Sequence, residues 1–388
     1  MPGSAAVQRA TGRHTYRVGI SGSYGGLNLG DEAILQVIVR ELRRSLPVDV
    51  TVFSRDPHDT LARHDVERAV PVRDLSRREV LPEVRRLDLF ILGGGGILFD
   101  AEAGIYLREV ALAHELGIPV MLYAVGAGPL RDPSARSLVR KCVDRAAAVT
   151  VREPRALRVL QEAGVQREIA ITADPALLLE PEPLPEGALR REGLDGRRPL
   201  VGVSVRERGV AAPDIDEEHY HGLLASAADR LVDRLDADPV FVPMEPRVLD
   251  VQHSHAVLAR MASARRAIVL KGDYTAGQVL SLVGRFAFAV GMRLHFLLFA
   301  ALRRVPFVAL PYAGKVLGFL EQLEMEAVPL QQMSVGQLAA LVDRSWDQRR
   351  DVQAQVERLL PSLQERARET NRIAVDLLRG CSTARRAA

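Results

Sequence analysis

The sequence predicts an α/β protein of two parallel-sheet domains, and three observations carry that prediction. Its 388 residues exceed one ordinary domain and suffice for two, each with its own core. Short apolar runs alternate with longer amphipathic ones almost throughout, which is the rhythm of strand, crossover helix and parallel strand. The rhythm breaks once, at EPEPLPEGALRREGLDGRRP (180–199), where proline, glycine and charge replace periodicity and the chain reads as a linker. The expected organisation is a first domain over 14–180, a linker over 181–199, a second domain over 200–333 and a helical segment over 334–388.

In the first domain the predicted strands are YRVGI, VDVTVF, LDLFIL, PVMLYAV, AAVTV and IAIT. Between the first two, DEAILQVIVRELRRSL reads as a helix. Ile34, Ile38 and Leu42 recur every four residues as one buried stripe, and Arg40, Arg43 and Arg44 lie toward the end where cations suit the helix dipole. After the linker the strands are PLVGVSV, PVFVPM, AIVL, FAFAV and PFVAL, separated by helical patterns such as EEHYHGLLASAADRLVDRLD. From about Ser334 the chain reads as helix, ending in LPSLQERARETNRIAVDLLRG, long enough to cross back onto the first domain.

Composition excludes several classes. Nearly half the residues are hydrophobic and the net charge is +3, which suits a globular protein and argues against a nucleic-acid binder with a dominant basic face. Cys142 and Cys381 stand far apart without metal-ligand spacing, so neither a disulfide framework nor a zinc site is expected, and a reducing cytoplasm fits. No apolar run reaches the length of a membrane span, and the first residues contain no secretory segment. The first dozen residues are expected to form a loose tail. RDLSRREVLPEVRR reads as a solvated helix face, allowing at most peripheral contact with an anionic membrane, at its inner side. Lysine occurs only at Lys141, Lys271 and Lys315 in an arginine-dominated chain, which marks these as places suited to a compact ammonium.

Open parallel sheets bind ligands outside the carboxyl ends of their strands. Past the first strand stand Gly22, Gly25, Gly26, Asn28, Gly30 and Asp31; past LFIL, Gly93 to Gly96, including Gly94 and Gly95; past YAV, Gly126 and Gly128. Further along come Arg152, Arg206, Glu245, Arg293 with His295, and Lys315. Glycines let backbone approach a ligand, and the cations suit an anion. Two such edges facing each other make an anion-binding cleft.

Each residue also has a plainer reading. The glycine loops make tight turns, and neither keeps the spacing of a P-loop or a dinucleotide fingerprint. Asp31 and Glu32 suit a helix dipole, and Asn28 suits a cap. HYH (219–221) and HSH (253–255) suggest metal binding, but residues two apart do not share a helix face, so no metal site is expected there. His295 opens an otherwise apolar helix, where a lone histidine is usually a core residue; its place just past a strand favours function.

Together, SGSYGGLNLGDEAIL, FILGGGGILFD, YAVGAGP, VTVREPRALRVLQEAGV, ADPAL, VGVSVR, GMRLHFLLFA and PYAGKVLGFLEQL resemble, in order, the polysaccharide pyruvyl transferase family, over roughly 16–325. The resemblance is to the branch acting on bacterial cell-wall and exopolysaccharide sugars. It implies a GT-B-like fold with two Rossmann-type domains, the first on the acceptor side and the second on the donor side. It implies phosphoenolpyruvate as donor and a sugar hydroxyl pair, free or lipid-linked, as acceptor, giving a pyruvate ketal. On this resemblance Arg152, His295 and Lys315 bind the donor, and their strand-end positions add Arg206 and Arg293 to the donor side. Proton chemistry assigns His295 as the catalytic acid or base, the alternative being that it only binds phosphate; Asn28 and Asp31 match the family's first glycine loop, and the strand-end positions of Gly25, Gly26, Gly94, Gly95 and Glu245 place them on the acceptor side of the cleft. The scheme calls for no metal and no organic cofactor. The alternative reading is a GT-B glycosyltransferase using a nucleotide sugar; a silent homologue that only binds an anionic glycan is a third. The oligomeric state stays open.

Overall fold

The computed structural model describes residues 14–387 apart from 101, 195, 208–215 and 247–248, and side chains up to 381. The expected N-terminal tail lies outside the described residues. The N-terminal sheet comprises β1 (Tyr16–Ser21), β2 (Val48–Ser54), β3 (Arg68–Pro71), β4 (Leu89–Leu92), β5 (Gly95–Leu98), β6 (Val120–Ala127), β7 (Ala148–Val151) and β8 (Ala170–Ile171). All its pairings are parallel, in the order β3-β2-β1-β4-β6-β7-β8, with β5 on β6. The C-terminal sheet comprises β9 (Leu200–Ser204), β10 (Asp238–Phe241), β11 (Ile268–Val269), β12 (Phe286–Gly291) and β13 (Phe307–Ala309), also parallel, in the order β11-β10-β9-β12-β13. Each sheet reverses its winding between its first and fourth strands in chain order, which opens a crevice at the carboxyl edge.

Two strands escape the sequence reading. Arg68–Pro71 is four residues with a charge at one end and proline at the other, too short to show alternation. Gly95–Leu98 lies inside what reads as a glycine loop. It pairs because β6 runs eight residues: the first part of β6 serves β4, and the segment beyond a left-handed Ala124 (φ 50°) serves β5.

The helix Leu29–Ser45 buries Ile34, Ile38 and Leu42 completely, each stabilising the fold by roughly 1.5–3 kcal/mol relative to exposure. Asn28 caps it, its Oδ1 accepting from Gly30 N at 3.0 Å, while Arg43 and Arg44 occupy the last turn. The chain ends in the helices Val335–Asp347 and Arg349–Ala387. The latter starts against the C-terminal half, Gln353 donating to Arg304 O at 2.9 Å, and crosses onto the N-terminal half. Gln364 donates to Leu177 O at 3.0 Å, Thr370 Oγ1 to Thr172 Oγ1 at 2.8 Å, and Asn371 Nδ2 to Ser45 Oγ at 3.1 Å. A hollow of about 610 Å³ is lined by residues 184–190, Gly193, Leu194 and Arg285. It sits by the entry to β9 and β12, the edge opposite to the one where open parallel sheets bind ligands.

Candidate active site

Four helices start at the facing carboxyl edges: Leu29–Ser45 after β1, Pro154–Glu162 after β7, Leu294–Leu302 after β12 and Gly314–Gln322 after β13. Their N-terminal dipole ends make this a region of positive potential. The two halves touch here. Leu29 N donates to Met244 O at 2.8 Å, and Asn28 Nδ2 donates to Glu245 Oε1 at 2.8 Å. Asn28 is therefore both helix cap and interdomain contact.

Gly30 lies against the imidazole of His295 so closely that a Cβ on it would stand 1.9 Å from Nδ1. On its other side, His295 Nε2 is buried without a hydrogen-bond partner and stands 3.5 Å from Asp174 Oδ2, an ion-pair separation. Asp174 in turn accepts from Arg152 Nη1 at 2.9 Å, and Arg152 Nε donates to Glu153 at 2.9 Å. Arg152, Glu153 and Asp174 are all buried. Burial by itself would raise the Asp174 carboxyl, but His295 and Arg152 outweigh it and hold it well below the ordinary value, so Asp174 is an anion beside the ring. Asp31 faces the same space. Burial raises its carboxyl above the usual range against the pull of His295 and Lys315.

A second cluster comes from the C-terminal half. Arg293 Nε donates to Asp250 Oδ2 at 3.0 Å and its Nη2 reaches Asp250 Oδ1, Glu245 at 3.1 Å and Glu207 at 3.3 Å. Glu207, Glu245 and Asp250 bring oxygens within 4.8 Å of one another, the spacing of a metal site, but the guanidinium already supplies the cation they surround. Arg206 Nη2 donates to Glu207 at 2.8 Å and its Nη1 to the Tyr312 hydroxyl at 2.5 Å. Lys315 Nζ lies over the Tyr312 ring, 5.6 Å from its centre. Burial would raise the Tyr312 phenol, yet Lys315, Arg206 and Arg293 together pull it down to about 8.

Of the residues expected from sequence, Asn28, Asp31, Arg152, Arg206, Glu245, Arg293, His295 and Lys315 gather in these two clusters. Gly95 joins them: it has φ +115°, and a Cβ there would stand 3.3 Å from Asp31 Oδ1. Gly94 packs behind, against Ile34 and the backbone of Tyr123 and Ala124. Gly25 (φ +69°) presses on Ser54 and Asp56, where any Cβ would collide at 2.2 Å, and Gly26 lies under Arg55, so both serve the corner after β2. Arg152, Arg206 and Arg293 are each held by carboxylates, which sequence spacing did not show. Asp174, Glu153, Glu207, Asp250 and Tyr312 were missed as site residues. Asp174, Glu153 and Tyr312 stand in the motifs ADPAL, VREPRAL and PYAGKV, and the residues following β8 were the strand end left unread.

The HYH and HSH triplets meet after all. His221 Nε2 stands 2.9 Å from His253 Nδ1, because the two helices Glu217–Leu235 and Leu249–Leu258 pack together, a pairing that spacing within each triplet could not reveal.

Two facing parallel α/β domains with helix starts, a histidine and buried ion pairs at their junction define a GT-B protein. Solved structures agree. S. aureus MnaA in a UDP co-structure has a TM-score of 0.64 at 11% identity over 92% of this chain and 95% of that one. A glycosyltransferase from Rickettsia africae gives 0.63 at 12%, over 94% and 99%. Anabaena Alr3699/HepE, in complex with UDP and glucose, gives 0.61 at 15%, over 94% and 99%. No curated protein sequence matches the chain. Residues 28–314 match the family model for polysaccharide pyruvyl transferase, and the chain belongs to that family. Membership makes it a transferase of polysaccharide biosynthesis.

Proposed function

We propose that the protein transfers the pyruvyl group of phosphoenolpyruvate to two hydroxyls of a sugar in a cell-wall or exopolysaccharide glycan, or in its lipid-linked precursor, forming a pyruvate ketal and releasing phosphate. The observation that carries the reading is His295. In a chain of this family, its ring stands between the start of the Leu29–Ser45 helix and the Asp174–Arg152 pair, with Lys315 and Asp31 in electrostatic reach. The donor carries a carboxylate and a phosphate on a small frame, and Lys315 with the helix starts suits both.

In the proposed sequence a proton adds to the donor's methylene carbon, which becomes the methyl group, and the first sugar hydroxyl bonds to the cationic carbon beside it. The phosphate ester bond then breaks, and the second hydroxyl closes the ring at the same carbon. The two hydroxyls lose two protons: one balances the proton taken up by carbon, and the other leaves with hydrogen phosphate. His295, placed beside the Asp174 anion, holds and moves the proton. The scheme uses no metal or organic cofactor, and the setting proposed for it is the cytoplasmic side of the membrane.

Incubation with phosphoenolpyruvate and a panel of free and lipid-linked glycans tests the reading: phosphate release with a pyruvate mass increment on one glycan is expected. UDP- or GDP-sugars are expected to leave the melting temperature unchanged while phosphoenolpyruvate raises it. The reverse pattern would transfer the case to a nucleotide-sugar glycosyltransferase.

A further inference from the structure

The arginines just past β7, β9 and β12 share one property: each has a carboxylate on its guanidinium. Arg55, just past β2, does not. Among the described residues no carboxylate lies within ion-pair distance of it. Its Nη2 donates instead to two hydroxyls, Ser23 Oγ at 2.7 Å and Tyr106 OH at 2.9 Å, and its Nε is buried with no partner. Half-buried cations normally carry a counter-charge, because desolvating an unpaired one is costly; here Asp31 and Glu102 offset that cost only from beyond ion-pair distance.

The local chain is arranged around this side chain. Arg55 N donates to Tyr24 O at 3.0 Å, which ties the glycine loop after β1 to the corner after β2. Gly26 lies directly beneath the guanidinium, and a Cβ there would stand 3.0 Å from Nη1. Tyr106 comes from the helix Ala103–Glu115 that follows β5. Both hydroxyl oxygens accept from the arginine, and the Ser23 hydroxyl also bonds to that of Tyr106, which leaves the Tyr106 O–H proton to donate outward. Burial keeps the Tyr106 phenol above its ordinary value, so it remains a donor at neutral pH. Ser23, Gly26 and Arg55 are partly open to solvent while Tyr106 forms the floor. Asp31 acts electrostatically on Arg55 and Tyr106 as it does on His295 and Lys315, so this cradle adjoins the candidate active site from the side of the N-terminal sheet.

We infer that Arg55, Ser23 and Tyr106 form an oxyanion subsite that holds a phosphoryl group carried by the acceptor glycan. The presence of an anion is argued from the cradle alone; its attachment to the acceptor rests on the function proposed above. A guanidinium with a phenol donor beside it, its Nε still without a partner, suits an oxyanion.

The test is calorimetric titration of the full-length protein with N-acetylglucosamine 1-phosphate, N-acetylglucosamine and inorganic phosphate. Each is run with and without saturating phosphoenolpyruvate, which occupies the donor site. The sugar phosphate is expected to bind in the presence of the donor, and the neutral sugar to give no signal. Arg55→Gln is expected to weaken the sugar phosphate about tenfold to a hundredfold, and Tyr106→Phe by a smaller factor. Tyr106→Phe decides the matter should Arg55→Gln fail to fold. Unchanged affinity in the variants overturns the subsite. Inorganic phosphate binding there as tightly as the sugar phosphate overturns its assignment to the acceptor. If phosphoenolpyruvate does not bind yet the sugar phosphate still depends on Arg55, the transfer reading falls and the anion cradle stands.

Discussion

Gly30 and His295, one from each half of the molecule, meet with no room for a side chain between them: the Cβ that Gly30 lacks would overlap the imidazole at 1.9 Å. Glycine is a poor helix former, and alanine at this position would favour the helix by up to about 1 kcal/mol. The overlap outweighs that gain, since a packed ring yields only at a cost of roughly 1–3 kcal/mol. Gly30→Ala is therefore expected to lower stability in urea unfolding and to cut transfer activity more than tenfold by displacing the ring. Retained activity with raised stability would show that the ring moves aside freely.

His295→Asn keeps polarity and approximate size but removes the imidazole proposed to hold and move the proton. The variant is expected to melt close to the parent and to lose turnover. A variant that melts far below the parent would make His295 a core residue.

Asp174→Asn leaves Arg152, whose side chain is 2% exposed, without one of its two counter-charges. Removing one partner of a buried pair typically costs about 3–5 kcal/mol, and a value near the lower end is expected because Glu153 remains. Urea unfolding of the variant measures it. A loss under about 1 kcal/mol would mean the pair is no better than a surface one.

Lys315 stands in the first turn of Gly314–Gln322, where a point charge and free backbone N–H groups face the same space. Lys315→Ala is expected to weaken phosphoenolpyruvate by roughly 1.5–3 kcal/mol, about tenfold to a hundredfold. Lys315→Arg should restore binding only in part, and Lys271→Arg, on the loop after β11, serves as the control. Titration of the three variants decides it: unchanged affinity in Lys315→Ala would remove the lysine from the donor site.

Tyr312 supplies the pH test. Its phenol is drawn down to about 8 from an ordinary 10. A depressed folded value contributes stability that is fully present above pH 10 and is lost as pH falls through 8. Absorbance titration at the phenolate band should therefore show one of the seven tyrosines ionising near pH 8. That step should vanish in Tyr312→Phe and move upward in Lys315→Ala. The stability difference between parent and Tyr312→Phe should grow from pH 8 to pH 10.

The sequence by itself determined the parallel α/β rhythm, the Ile34–Ile38–Leu42 stripe and the strand-end positions of Arg152, His295 and Lys315. Each is a local signal, since period, cap and strand end are written in neighbouring residues. The tertiary structure alone decided what those residues touch. Asn28 meets Glu245 across 217 positions, Arg152 meets Asp174 across 22, and Arg55 finds two hydroxyls where its counterparts find carboxylates. It also decided that β5 pairs, because the length of β6 left it a partner, and that Gly25 and Gly26 serve the β2 corner. Charge compensation and close approach depend on which chain segments a fold brings together, and sequence spacing does not encode that distance.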